Sequence, residues 1–260
     1  EVLQYLLIRY PGIFQVLLII HGFQIIQDKV CQLGGFYDPV FRCITTGINR
    51  GMKFSFPGQF QKFNGGIALE GRTNQTLVKV DLDGNKVTES PHPINPAGFV
   101  IHSAVHESRE DVVCVLHTHT RAGVAVSAQA GGLLPISQTS LFPYVTLAYH
   151  DYEGVALNDD EKPRLVADLG AKNAMILRNH GLLTTGASIA DAFLLMYMLE
   201  AACQIQVMAQ SSGGPLIQVP QPIVDGIKAQ AAEVTKGLGG QLVWPGLLRK
   251  LDRMDPSYRD

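Results

Sequence analysis

Charge is scarce in this chain and nearly cancels: 21 lysines and arginines stand against 23 aspartates and glutamates, a formal net charge of -2. Such a balance excludes recognition by bulk electrostatics, so neither nucleic acid nor an anionic membrane is an expected partner. Cysteine is scarce too. The four residues, Cys31, Cys43, Cys114 and Cys203, form no CxxC pair and no dense framework, which points to a reducing, cytoplasmic setting. The most apolar stretch, Leu6 to Ile20, is broken by Arg9 and by Pro11-Gly12 and falls short of the roughly 20 residues a membrane span requires. No secretion signal is expected around it, which deprives the sequon Asn74-Gln75-Thr76 of weight. The chain also lacks a GxGxxG or P-loop fingerprint after any strand, a GxSxG elbow and an HExxH helix. These gaps argue against nucleotide cofactors, a serine hydrolase triad and a zincin site.

Apolar residues are plentiful, at 46%, enough for a large core. They are unevenly spread. Residues 1 to 69 hold 8 of the 11 phenylalanines, three acids (Glu1, Asp28, Asp38) and one alanine, Ala68, whereas 20 acids and most alanines follow. This divides the chain into an atypical segment, 1–73, and a regular domain, 74–260. The first is a separate module, a divergent part of the same domain, or a stretch read in the wrong frame. Its runs Val2 to Ile8 and Ile13 to Ile20 fit a buried strand or a buried helix equally well.

From Thr76 onward the elements become legible. Thr76 to Leu82 reads as a strand closing at Asp83-Gly84, with a return strand from Val87; Asp81-x-Asp83 has its glycine in the wrong place for a calcium loop. Helices are expected over 96–109, 121–130, 159–169, 188–209 and 220–237, and strands over 111–117, 144–149, 174–178 and, after a turn, 182–185. Strands alternating with helices predict an α/β layered fold.

Chemistry concentrates at strand ends. His117-Thr118-His119 follows the strand that begins at Asp111, and in extended chain residues i and i+2 share a face, so both imidazoles converge on one point. His180, in Arg178-Asn179-His180-Gly181, stands just past another strand, before a glycine suited to a tight turn. Three imidazoles make a first shell for zinc or a related ion with positions left open. His102 and His106, four apart on a helix without an intervening glutamate, read as a core-facing or solvated pair. His150, in Tyr149-His150-Asp151-Tyr152, is a substrate or proton-transfer contact or a satisfied loop histidine. Cys114 and Cys203 sit in apolar surroundings and read as buried side chains rather than nucleophiles.

The segments TLVKVDLDGNKV, INPAGFVIHSAVHESREDVVCVLHTHTRAGVAVSA, GLLPIS, AYHDYEG and ILRNHGLLTTG, in this order, closely resemble the class II aldolase/adducin family from about Thr76 to the C terminus, in particular its adducin-head-like bacterial branch. The resemblance implies a three-layer α/β/α sandwich around a mixed, largely antiparallel sheet, assembled as a homo-oligomer, a tetramer in the family. It implies that His117, His119 and His180 hold zinc, manganese or iron, and that the chain is a metal-dependent lyase acting on a small hydroxylated carbonyl compound by aldol cleavage, dehydration or decarboxylation. One position departs from the aldolase pattern. Gly98 stands where the aldolases carry a glutamate acid/base, four residues before His102, and His150 is the substitute the sequence offers. The departure leaves a non-catalytic scaffold of the adducin kind open, and a three-histidine site with open positions leaves a metal-dependent oxygenase open as well.

Overall fold

The structure, a computed structural model, describes residues 4–10, 13–17, 78–81, 83–87, 89 and 94–254. His21, Cys31, Cys43, Asn74 and His92 lie outside these residues. The two apolar runs that sequence pattern left undecided are strands, β1 Gln4–Tyr10 and β2 Ile13–Leu17. They enter the same sheet as β3 Val78–Val80, β4 Cys114–Thr118, β5 Leu147–His150, β6 Ala174–Leu177 and β7 Gly181–Gly186. Seven strands run in the order β3-β2-β1-β4-β7-β6-β5. Every neighbouring pair is antiparallel except β5 with β6, so the sheet is mixed and largely antiparallel. β4 lies at its centre, between β1 and β7, with His117 opposite Tyr5 on one side and Leu183 on the other.

Helices cover both faces. Two of them, α1 Pro96–Ser108 and α4 Lys162–Leu169, pack together on one face, their Val100, Ile101, Ala104, Val105, Leu165 and Leu169 meeting Val115, Met175, Leu177 and Leu183 of the sheet. The other face carries α2 Arg121–Ser127 and the 23-residue α5 Ile189–Ser211, whose Ala192, Phe193, Met196, Leu199 and Cys203 meet Cys114, Leu116, Ala174, Ile176 and Leu182. Consecutive β4 and β7 residues thus feed opposite cores, as a period of two requires. Each fully buried Leu, Ile or Met contributes about 1.5–3 kcal/mol relative to an exposed one, so these two cores fix the strand register to which the site is tied. α5 is long and apolar enough to cross a membrane by length and composition, but its apolar residues form the larger core here.

Several boundaries differ from the sequence expectation. Residues 144 to 146 are not strand: α3 Gln138–Tyr144 precedes β5, started by a reciprocal cap between Ser137 and Ser140 and tolerating Pro143 in its last turn. α2 stops at Ser127 rather than Ala130. A short 3₁₀ turn, Asp159–Glu161, leads into α4. After α6 Gln221–Thr235 the chain forms a further helix, α7 Gly240–Met254, which packs against α5 through Trp244 and Phe193. Beyond β3, the Asp81 carboxylate accepts the N–H groups of Asp83 (3.0 Å) and Asn85 (2.8 Å) while Gly84 takes a positive φ, so the Asp-x-Asp stretch is a turn. The return strand amounts, among the described residues, to one bridge between Val80 and Lys86.

Candidate metal centre

Strand alternation aims Val115 and His117 of β4 at the α1 side and Cys114 and Leu116 at the α5 side. His117 is almost fully buried, and its Nδ1–H donates to the Leu182 carbonyl at 2.9 Å. That bond fixes the tautomer with the Nε2 lone pair free to act as a ligand. His119, two residues on, places its Nε2 2.7 Å from His117 Nε2.

His180 arrives on the turn between β6 and β7. Asn179 before it has a φ of 54°, and the His180 N–H donates to the Leu177 carbonyl at 3.1 Å, closing the turn. Gly181 after it has a steric reason: a Cβ there would lie 2.3 Å from the Thr118 carbonyl oxygen and 3.0 Å from His119 Cδ2. Only glycine lets the turn press against the end of β4. Arg178 holds the turn from the other side, stacking 4.2 Å over the Tyr149 ring and donating to the Gln129 carbonyl.

The result is a cluster of three imidazoles whose ring centroids are 4.5, 4.8 and 4.6 Å apart and whose ligating nitrogens all lie within 4.8 Å of one another. A tetrahedral zinc site holds its nitrogens about 3.3 Å apart, inside the range from 2.7 to 4.8 Å found here. The electrostatics suit a cation as well. Burial, with the neighbouring His119, His180 and His102, holds His117 well below the usual imidazole range. Burial lowers His119, and burial with His119 nearby brings His180 down to about 4. All three are therefore neutral lone-pair donors at physiological pH. His119 and His180 are partly exposed, and the half-exposed Tyr152 ring stands 6.3 Å from that of His180, so the cluster opens toward solvent on this side.

The other sequence candidates fall elsewhere. His102 and His106 are both fully buried, and the His102 ring meets His117 edge-on at 6.4 Å; burial, with His106 nearby, lowers His102 to about 3. Gly98 is buried in the first turn of α1, its N–H capped by Asn95. Among the described residues no carboxylate joins the three imidazoles. His150 lies beside carboxylates instead, with Nδ1 2.7 Å from Asp168 Oδ2 and Nε2 3.3 Å from Glu161 Oε1. Cys114 and Cys203 are buried, and burial pushes both thiols up, which makes them poor nucleophiles. Sequence pattern did not single out Tyr152, although it belongs to AYHDYEG, nor the threonines interleaved with His117 and His119.

Comparison with known proteins decides the family. The family model for the class II aldolase and adducin N-terminal domain matches residues 64–207, more than half of the chain. The chain belongs to the class II aldolase and adducin family. Among its relatives, the putative aldolase class 2 protein PA3430 of Pseudomonas aeruginosa is 59% identical over 197 residues, covering 75% of this chain and 76% of its own. A putative aldolase class 2 protein of Caulobacter vibrioides is 46% identical, covering 89% of this chain and 88% of its own. Mouse alpha-adducin is 39% identical over 72% of this chain, which spans only 25% of that protein. Among solved structures, an aldolase II superfamily protein from Pseudomonas syringae shares the fold with a TM-score of 0.72 at 39% identity, covering 99% of this chain and 86% of its own. The L-fuculose 1-phosphate aldolase of Glaciozyma antarctica PI12 shares the fold at 24% identity and a TM-score of 0.64, over 99% of this chain and 83% of its own. The family match starts before Thr76, where legible motifs begin, and the three imidazoles lie within it.

Proposed function

We propose that this chain is a divalent-metal-dependent enzyme of the lyase type, holding zinc, or manganese or iron, on His117, His119 and His180 and acting on a small hydroxylated carbonyl compound by aldol cleavage, dehydration or decarboxylation. The observation that carries the reading is the neutral imidazole cluster itself, with its ligating nitrogens within 4.8 Å of one another and two of its rings partly open. A bound ion supplies Lewis-acid stabilisation of negative charge developing on a substrate oxygen. The residues of the chain do the rest. His117 is held in its ligating tautomer by Leu182, and Tyr152, beside His180 at the open side, is placed to meet whatever enters. The scarcity and burial of the described thiols suit a reducing cytoplasm, and membership of the family supports a homo-oligomer.

Metal analysis of the purified protein tests the reading. The unmodified chain is expected to carry close to one equivalent, and His117→Ala, His119→Ala and His180→Ala much less. Undiminished metal in all three variants would refute it. One observation favours a second reading, a non-catalytic scaffold: Gly98 removes the carboxylate the aldolases carry, and loss of a general acid/base typically costs about 10²- to 10⁴-fold in rate. Turnover against a panel of aldol, dehydration and decarboxylation substrates, with zinc, manganese or iron added, separates the two.

A further inference from the structure

The four residues His117-Thr118-His119-Thr120 alternate in function as well as in direction. The imidazoles meet on one side of the segment. The hydroxyls reach α5 on the other: Thr118 Oγ1 donates to Met196 Sδ at 3.4 Å, and Thr120 Oγ1 donates to Glu200 Oε2. Met196, Glu200 and Gln204 follow one another at successive turns of α5, with Gln204 Nε2 donating to Glu200 Oε1 at 3.0 Å. Glu200 is only 3% exposed, in a helix that otherwise buries Ala192, Phe193, Met196, Leu199, Ala202 and Cys203 nearby.

A buried carboxylate in an apolar core is an expensive way to hold a helix in place, because a well-packed apolar side chain does so without desolvating a charge. Nor does the cap of α2 require it, since Thr120 Oγ1 itself accepts the Gly123 N–H at 3.3 Å. The carboxylate does fix the direction of the Thr120 hydroxyl, one residue after His119. Tolerance around that hydroxyl is small: a Cβ on Gly123 would lie 2.6 Å from Thr120 Oγ1 and 2.7 Å from Leu182 Cγ. Leu182 is also the residue whose carbonyl orients His117. The supports of His117 and His119 therefore converge on one tight junction between β4, α2, β7 and α5.

We infer that Glu200 is a positioning residue for the metal centre, acting through Thr120 to hold His119 in register with His117 and His180. The inference rests on the reading of the three imidazoles as a metal site. Groups hydrogen-bonded directly to a metal ligand typically matter by about 10- to 100-fold in metal affinity; Glu200 and the Thr120 hydroxyl stand one step further out and are expected at the lower end of that range.

The test uses the full chain with cobalt(II) as the probe, reading affinity by competition titration, coordination geometry by visible absorption, and the melting temperature alongside. Glu200→Met and Thr120→Val, which remove the acceptor and the donor, are each expected to lower cobalt affinity about tenfold and to change the ligand-field bands. Glu200→Gln keeps an acceptor for Thr120 once the Gln204 amide turns over, and Thr120→Ser keeps the hydroxyl, so both are expected within about threefold of the unmodified chain. If Glu200→Met does not fold, the Thr120→Val and Thr120→Ser pair decides alone. Affinity and spectrum unchanged in Thr120→Val, with a lower melting temperature only, would make the contact structural and overturn the inference while leaving the metal site intact. An unmodified chain that takes up no cobalt overturns the metal reading and the inference with it.

Discussion

Two histidine clusters stand at strand ends on the α1 side of the sheet, and they are built oppositely. At the end of β4 three imidazoles face one another, and among the described residues no carboxylate joins them. At the end of β5 a single imidazole, His150, faces carboxylates, with Asp168 at 2.7 Å, Glu161 at 3.3 Å and Glu153 at 4.0 Å. The first arrangement collects lone pairs and lacks positive charge; the second sets carboxylates beside both ring nitrogens, with a hydrogen bond at Nδ1 to Asp168. Neighbours decide the task of the same side chain. The triad is suited to receive a cation from outside, whereas the His150 cluster ties β5 to α4 and the 3₁₀ turn through side chains of its own.

The largest expected effect separates the two. His180→Ala is predicted to lower metal affinity well beyond the roughly 10- to 100-fold that loss of an outer partner produces, with little change in the melting temperature of the metal-free protein. His150→Ala is predicted to leave metal content unchanged and to cost about 1–3 kcal/mol of stability, since it removes the hydrogen bond to Asp168. Metal analysis and urea unfolding on both variants check the crossed pattern. Metal loss in His150→Ala with unchanged stability would erase the distinction.

Acidification sharpens it next. Burial lowers His102 to about 3 and, with His119 nearby, His180 to about 4, against an unfolded value near 6.5. A lowered folded value means that the unfolded chain takes up protons first as pH falls. The stability these groups contribute is therefore complete above about pH 6.5 and declines below it. For the fully buried His102 the decline is about 1.4 kcal/mol per pH unit until its folded value is reached. His102→Leu is expected to flatten the dependence of unfolding free energy on pH between 6.5 and 4, measured on metal-free protein; an unchanged slope would show that His102 is not held neutral by the fold.

The triad was legible in sequence for reasons that belong to strands. A spacing of two at a strand end forces His117 and His119 to one face, and the glycine after His180 marks a place where backbone meets backbone. The long apolar helix and the α/β alternation were legible for the same kind of reason, their periods being set by burial. What escaped sequence reading lacked such a period or contradicted it. α3 and α7 each carry an internal proline, Pro143 and Pro245, which reads as a stop, although the Ser137 and Ser140 cap was a signal for the first. β1 and β2 are mostly apolar without a strict alternation, and their pairing with β4 and with β3 is what makes them strands. The support beneath the site escaped because Thr120 and Glu200 are 80 residues apart, a distance no local pattern spans.

Gly181→Ala brings the comparison down to one methyl group. A Cβ 2.3 Å from the Thr118 carbonyl oxygen has backbone, not a flexible side-chain end, to displace, so the turn must retreat from β4. Overpacking of this kind costs about 1–3 kcal/mol. Because the displaced turn carries His180, metal affinity is expected to fall along with stability. The His150 cluster, tied to α4 rather than to this turn, is expected to keep its contacts. Unfolding and cobalt titration together check this, and a stability loss with unchanged affinity would mean that the turn adapts without moving His180.

The smallest effect concerns the open side. The Tyr152 ring stands beside that of His180 and is not one of the three clustered imidazoles. It is 53% exposed, and substitutions at exposed positions usually stay within about 0.5 kcal/mol, which is about twofold in equilibrium affinity. A ring at the entrance acts on rates rather than on equilibrium, because entering and leaving ligands pass it in both directions. Tyr152→Ala is therefore expected to hold metal affinity within about twofold of the unmodified chain while a chelator strips the ion faster. Stopped-flow removal of cobalt by EDTA reads both quantities in one experiment. Equal stripping rates would place the route to the ion elsewhere, and an affinity loss as large as that of His180→Ala would make Tyr152 part of the site rather than its threshold.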